Sequence, residues 1–239
     1  MIKPIRVTLV LMYFFTVALS GSLVSLLRPF NPDNTRICGR MFSWGAMKLL
    51  GIKLIIEDAD ILKNMTPSVV IANHQDNLDL FVHGAIVPRR TVSVGKKSLK
   101  YLPLFGQVYW LSGNIMIDRR KSRESINAMA ETTEALKKNK TSIWVFAEGT
   151  RNRGKGLLPF KKGAFHMAKQ AGVPIVPICA STYPGKIDLG KWRAGTVILK
   201  VLPPIETELL GKHDLSELRS TTHELMARTI DELDRRVSA

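Results

Sequence analysis

The chain has 239 residues, 45% of them hydrophobic, and a net charge of +15 at neutral pH. That length suits one large α/β domain or two small ones, with a core that can stand without covalent staples. Its two cysteines, Cys38 and Cys179, lie too far apart for a disulfide framework or a zinc pattern, which excludes the disulfide-stapled secreted scaffolds and points to a reducing compartment.

From the N-terminus, Val7 to Leu27 carries no charged residue. As a helix it is about 30 Å long, the thickness of a bilayer's hydrocarbon core. Lys3 and Arg6 ahead of it, and the small residues of ALSGS, also suit a cleaved signal. The apolar run exceeds an ordinary signal-peptide core, however, and no cysteine framework follows, so a retained membrane anchor is expected. Ser20, Gly21 and Ser22 mark a place where the helix could break and re-enter rather than span. Arg36 to Gly51 has an apolar and a basic face, suited to a membrane interface where Arg and Lys meet anionic lipid headgroups. Residues 1–51 are therefore read as membrane-anchoring helices and residues 52–239 as an α/β domain.

In that domain the apolar runs predict strands at 52–56, 68–72, 91–94, 114–117, 142–147, 173–180 and 195–201. Helices are predicted at 76–87, 103–111, 121–140, 163–170 and 214–237. The last opens on Asp214 and Glu217, spaced as a capping box. This alternation predicts a largely parallel central sheet flanked by helices, with chemistry in the loops beyond the strands' C-terminal ends.

Those loops hold the informative residues. Beyond the second strand stands NHQDNLD, Asn73 to Asp79. A histidine is the commonest general base at neutral pH, and it needs a partner on its far ring nitrogen to fix tautomer and stabilise the imidazolium. Asp79, five positions on and across a turn, can fold back over His74. Asp76 is better placed to accept a backbone N–H at the helix start. Taken alone, the same segment also fits a capped helix in which His74 is incidental.

Basic clusters follow the later strands: Asp118-Arg119-Arg120, then AEGTRNRGKG from Ala147 to Gly156, then FKKG. From Arg89 to Lys169 there are 18 Lys/Arg against 5 Asp/Glu, so most of the excess charge sits in the middle of the chain. Such a patch attracts phosphorylated small molecules, acidic lipid headgroups or nucleic acid. The apolar anchor and the scarcity of interleaved aromatics disfavour nucleic acid. Arginine's planar fork suits a phosphate, and Glu148 in this basic loop is expected to orient Arg119, Arg151 or a lysine. The Walker spacing and the G-x-S-x-G elbow are both missing, which speaks against a P-loop and a serine hydrolase. Cys179, inside an apolar strand, reads as packing. The parts describe a base without a nucleophile, beside phosphate binders, on a membrane-anchored domain.

In order, NHQDNLD (73–79), GNIMIDR (113–119), AEGTR (147–151) and VPIVP (173–177) resemble the four motifs of the glycerolipid acyltransferase family, and within it the bacterial 1-acylglycerol-3-phosphate acyltransferases. GKKSLKYLPLFGQVYWLSG (95–113) looks like that family too, and the resemblance covers about residues 50–205. Ala147 departs from it, since proline is usual there. The resemblance implies that His74, oriented by Asp79, deprotonates the 2-hydroxyl of lysophosphatidic acid. The hydroxyl then attacks a fatty acyl thioester on coenzyme A or acyl carrier protein, without an acyl-enzyme. It implies Lys96 as an oxyanion donor and Arg119 and Arg151 as phosphate ligands. Asn73, Glu148, Gly149 and Thr150 complete the expected substrate site, and VPIVP (Val173, Pro174, Pro177) forms a pocket wall. No metal or further cofactor is expected. The cytoplasmic face of a bacterial inner membrane is the expected location, because the acyl donors are cytoplasmic. Two alternatives remain at this point: another acceptor, such as glycerol-3-phosphate or a different lysolipid, and a non-enzymatic basic protein that binds anionic membranes.

Overall fold

The computed structural model describes residues 2–117, 132–134, 138, 140–207 and 214–238. Among them, seven strands form one mixed sheet: β1 (Ile52–Glu57), β2 (Val69–Ala72), β3 (Thr91–Lys96), β4 (Ile115–Ile117), β5 (Ser142–Phe146), β6 (Ile175–Ala180) and β7 (Gly195–Val201). Their order across the sheet is β1-β7-β6-β2-β5-β3-β4. Every neighbouring pair is parallel except β6 and β7. Those two are joined directly by residues 181–194, and an antiparallel pair needs no crossover helix. An apolar run such as GTVILKV reads the same in either direction, so its orientation had to come from pairing.

Among the described residues, six α-helices with both ends defined cover the two faces: α1 (Ile2–Leu27), α2 (Asp33–Leu50), α3 (Asp79–Gly84), α4 (Phe105–Leu111), α5 (Gly163–Ala171) and α6 (Asp214–Ser238). Side chains alternate between two cores, as the two-residue period of a strand requires. Val70, Ala72, Val176, Ile178 and Leu199 pack under α1 to α4 with Phe42, Val82 and Phe105. Ile71, Ile143, Ile175, Cys179 and Ile198 pack under α5 and α6 with Phe165, Met226 and Leu233. Predicted and observed strands agree to within two residues at each end. The helix expected at 121–140 and the arginine at its approach, Arg119, lie almost wholly or wholly outside the described residues.

In VPIVP, expected as a pocket wall, Val173 and Pro174 are half-buried and Ile175 to Pro177 lie in the core. These last three residues open β6, which is buried along its whole length between β2 and β7. Pro177 is tolerated in so central a strand because the neighbouring chain leaves its ladder there. Leu202 N–H donates to the Pro177 carbonyl, and pairing resumes only at Ile175 with Ile205.

α1 runs unbroken through Ser20, Gly21 and Ser22. Ser20 and Ser22 satisfy their hydroxyls on carbonyls one turn back, Thr16 O and Ala18 O, both at 2.8 Å. Gly21 marks a close helix contact, since a Cβ there would lie 2.9 Å from Val108 Cγ2. α1 is long and apolar enough to cross a membrane. One face, with Val10, Val17, Ala18 and Ser25, is covered by protein, while Ile5, Leu9, Met12, Phe15, Leu19, Leu23 and Leu26 point outward. The apolar face of α2, expected to sink into a membrane interface, is occupied by protein. Cys38, Phe42, Ala46, Met47 and Leu50 are all buried, leaving Trp44 exposed beneath the Lys48 ammonium, 4.0 Å from its ring. α2 meets α3 with backbone against backbone: a Cβ on Gly84 would lie 2.5 Å from Gly39 O. The two N-terminal helices and the helix that begins at Asp79 are thereby packed as one layer.

Candidate active site

His74 stands two residues beyond the C-terminal end of β2, the most central stretch of the sheet. The chain then turns. Asp76 Oδ1 accepts the Leu78 N–H at 2.7 Å, and α3 begins at Asp79, later than the hydrophobic pattern indicated. α3 also stops at Gly84, short of Val87 and Pro88, where proline disfavours helical geometry in its predecessor. This tight entry brings Asp79 back over His74, whose Nδ1 contacts Asp79 Oδ2. The same oxygen accepts the Gln75 N–H at 2.8 Å, and Oδ1 accepts the Asp76 N–H at 3.1 Å and the Tyr183 hydroxyl. Burial alone would raise the Asp79 carboxyl. The hydrogen bond with His74, the His83 and His74 charges and the Tyr183 hydroxyl outweigh it and hold Asp79 below the ordinary carboxylate range.

The pair is asymmetric in exposure. The His74 side chain is 19% accessible and that of Asp79 4%. With Nδ1 turned to the carboxylate, Nε2 is the nitrogen able to take a proton from an incoming group. The imidazole lies flat on Phe146, centroids 4.1 Å apart and planes 12° from parallel, so its orientation is held from a face as well as an edge.

Asp76 takes the turn-capping position expected of it, its carboxylate on the Leu78 amide rather than on the His74 ring. Burial raises its carboxyl, with the Asp79 charge adding to the shift and Leu78 and Arg151 opposing it. The charge of exposed Arg151 is thus felt at the turn beside His74.

Among the described residues, Glu148 forms no ion pair with an arginine or a lysine; Arg119 lies outside them. Glu148 is buried, and its two oxygens accept backbone N–H groups from His74 and, at 2.9 Å, from Leu158. Burial pushes its carboxyl up, with those two bonds opposing. Asn152 N–H donates to His74 O at 2.8 Å, and Arg153 N–H donates to Gln75 O at 3.0 Å. The AEGTRNR loop is therefore zipped to the NHQD backbone along the line where β5 and β2 already pair. Gly149 turns this loop at a φ of 72°, a left-handed geometry that glycine adopts without strain. Thr150 and Arg151 project into solvent.

Asn73 is placed as a brace. Its amide group donates to Ala180 O at 2.9 Å and accepts the Ala180 N–H at 2.8 Å, extending the β2–β6 pairing by one side chain. Both polar ends of this buried amide are thus engaged with the Ala180 backbone. Lys96 is exposed at the C-terminal end of β3, on the same edge of the sheet as His74 and two strands away. Gln75, Phe146, His83 and Tyr183 were not singled out from the sequence. Phe146, as the last residue of a strand running parallel to β2, carried a legible positional signal; the others make contacts that no local pattern announces.

His83 is wholly enclosed beneath the dyad. Its Nε2 donates to Asn73 O at 3.2 Å, and Nδ1 has no hydrogen-bond partner among the described residues. Burial pushes this imidazole down to about 4, with the His74 charge adding and Asp79 opposing. A histidine kept neutral in the fold but free to protonate when unfolded contributes stability above pH 6.5 that is lost as pH falls toward 4, on the order of 3 kcal/mol across that window. Urea midpoints measured from pH 7.5 to 4.5 should therefore fall less steeply for His83→Leu than for the wild type. Parallel curves would show that His83 does not titrate differently in the two states.

A half-shielded histidine backed by a buried carboxylate, at the C-terminal edge of an α/β sheet and beside a basic loop, is the arrangement of an α/β enzyme site with a histidine placed for general-base chemistry. The Acyltransferase family model matches residues 53–181, which contain every residue of this site except Tyr183, and the chain belongs to that family. It is 42% identical over 238 residues to the 1-acyl-sn-glycerol-3-phosphate acyltransferase of Escherichia coli, covering all of this chain and 97% of that one. The enzyme of the same name from Haemophilus influenzae is 40% identical, covering all of this chain and 99% of that one. The human alpha form is 34% identical over 233 residues, covering 92% and 82%. The fold matches the crystal structure of the 1-acyl-sn-glycerophosphate acyltransferase of Thermotoga maritima with a TM-score of 0.75 at 24% identity, over 97% of each chain. Family membership sets aside the reading as a non-enzymatic basic protein.

Proposed function

We propose that the protein transfers a fatty acyl group from acyl-CoA or acyl carrier protein to the 2-hydroxyl of 1-acylglycerol-3-phosphate, giving phosphatidic acid. The observation that carries this reading is the similarity to 1-acyl-sn-glycerol-3-phosphate acyltransferases over the whole chain, His74 region and N-terminal helices included. The geometry of the His74–Asp79 pair supports the following chemistry. His74 Nε2 takes the hydroxyl proton as the oxygen attacks the thioester carbonyl. Asp79 stabilises the imidazolium that forms. The tetrahedral oxyanion then collapses, the C–S bond breaks, and the imidazolium returns the proton to the departing sulfur. Lys96 is the candidate donor to the oxyanion. Arg151, on a loop shaped by Glu148, Gly149 and Thr150, and Arg119 are the candidate phosphate ligands.

Holding the phosphate places the hydroxyl, so Arg151 acts on acceptor binding first. Arg151→Ala should raise the acceptor KM about tenfold with a smaller change in kcat, read from initial rates with lysophosphatidic acid varied. Unchanged constants would remove Arg151 from the site.

The outward apolar face of α1 would lie in the lipid of a bacterial inner membrane, with exposed Trp44, Trp110 and Trp192 near its surface and the basic domain against anionic headgroups on the cytoplasmic side. A donor and acceptor panel on the purified full-length protein, with products identified by mass, tests the whole reading. Phosphatidic acid should form from lysophosphatidic acid with either thioester class as donor. Preferential acylation of glycerol-3-phosphate would overturn the acceptor assignment.

A further inference from the structure

We infer that Tyr183 is a positioning residue for the His74–Asp79 pair, acting through the carboxylate oxygen that His74 does not touch. This assignment rests on the dyad reading above and goes beyond it, since Tyr183 lies outside all four motifs. The phenol is 1% exposed, and its hydroxyl donates to Asp79 Oδ1 across 104 residues of sequence. Asp79 then has four donors, two to each oxygen: the His74 ring and the Gln75 N–H on Oδ2, the Asp76 N–H and Tyr183 on Oδ1. Three of them belong to the 74–76 turn. Tyr183 alone ties the carboxylate to a separate part of the fold, so it stops the carboxylate turning with the loop.

The anchor is itself braced. Gln75 Oε1 accepts the Tyr183 N–H at 3.1 Å, and Gln75 Nε2 donates to Ser181 O at 2.9 Å. Thr182 N–H donates to Asp234 Oδ1 on α6, and the Lys186 N–H closes a turn on Tyr183 O at 3.1 Å. A tyrosine needed only to fill the core would have its hydroxyl on a backbone carbonyl or in water. Here it meets the one charged group that supports the base.

The hydroxyl has two expected effects. It fixes the carboxylate rotamer, which keeps His74 aimed. It also draws on part of the Asp79 charge, leaving less to stabilise the imidazolium. In Tyr183→Phe the full charge acts on the ring, which then holds its proton to higher pH. Full-length Tyr183→Phe should lose about tenfold in kcat with both substrate KM values within about twofold, and the acid limb of its pH profile should move up by about half a unit. In an Asp79→Ala background the same change should do nothing further, because its target is gone. A role confined to packing would lower the melting temperature without moving the limb. If Tyr183→Phe fails to fold, 3,5-difluorotyrosine at 183 keeps the ring and strengthens the donor, and the limb should then move down. An unmoved limb in the variant measured, with kcat within about twofold of wild type, overturns the assignment. If His74→Ala is inactive in the same assay, only the Tyr183 inference fails; if His74→Ala is active, the dyad reading itself has failed.

Discussion

His74→Ala is expected to lower acyl transfer by about a thousandfold or more while the protein remains folded. General-base removal by itself costs roughly 10²–10⁴-fold, and the upper part of that range applies where no second base is in reach. The carboxylates near His74 are poor substitutes. Asp79 is buried beneath the ring and held ionised by its donors, and Asp76 is turned toward the Leu78 amide. The fold should survive because Asp79 keeps the Gln75 and Asp76 amides and the Tyr183 hydroxyl when the imidazole is gone. No buried charge is stranded, so the large penalty of an unpaired carboxylate is avoided. Circular dichroism and thermal unfolding would establish that the variant is native, and steady-state transfer would be read on the same preparation. Substantial activity from folded His74→Ala would falsify the mechanism.

Asp79→Asn should cost about a thousandfold in kcat, whereas Asp76→Asn should stay within about threefold of wild type. The difference lies in how many donors each side chain receives. Asp79 accepts from four groups, and a carboxamide has only one oxygen to offer. Whichever way that carboxamide is turned, its NH2 faces at least one N–H or O–H, so the turn loosens and the imidazolium loses its counter-charge. Asp76 uses one oxygen, on the Leu78 amide, and an asparagine can keep that bond. A larger loss for Asp76→Asn than for Asp79→Asn would reverse the assignment of the two carboxylates.

The sheet and the dyad were legible in the sequence for related reasons. Strands buried on both faces show as unbroken apolar runs, such as SVVIA and SIWVF, and chemistry in such folds follows the strand ends. The His74–Asp79 spacing is local, so a five-residue separation already carried the geometry. Contacts between distant segments were not legible. Glu148 reads as acidic among arginines, which suggested an ion pair, whereas the fold turns it inward to two backbone amides. Tyr183 sits in a loop without periodicity, and nothing near it in sequence indicates a partner at Asp79. Amphipathicity in α2 was visible, but a hydrophobic face states only that something covers it, not whether lipid or protein does. Asn73 shows the same limit: its amide completes a strand pairing with Ala180 that depends on sheet order.

The most direct test of the central claim, a hydroxyl activated for direct attack without an acyl-enzyme, is a rapid-quench record of thiol release. Full-length protein at high concentration would be mixed with acyl-CoA, with and without lysophosphatidic acid. Direct transfer predicts thiol release only when the acceptor is present, matched one for one by phosphatidic acid, with no burst in its absence. A burst of thiol stoichiometric with enzyme before any acceptor is added would contradict it, because the acyl group would then have passed to the protein first.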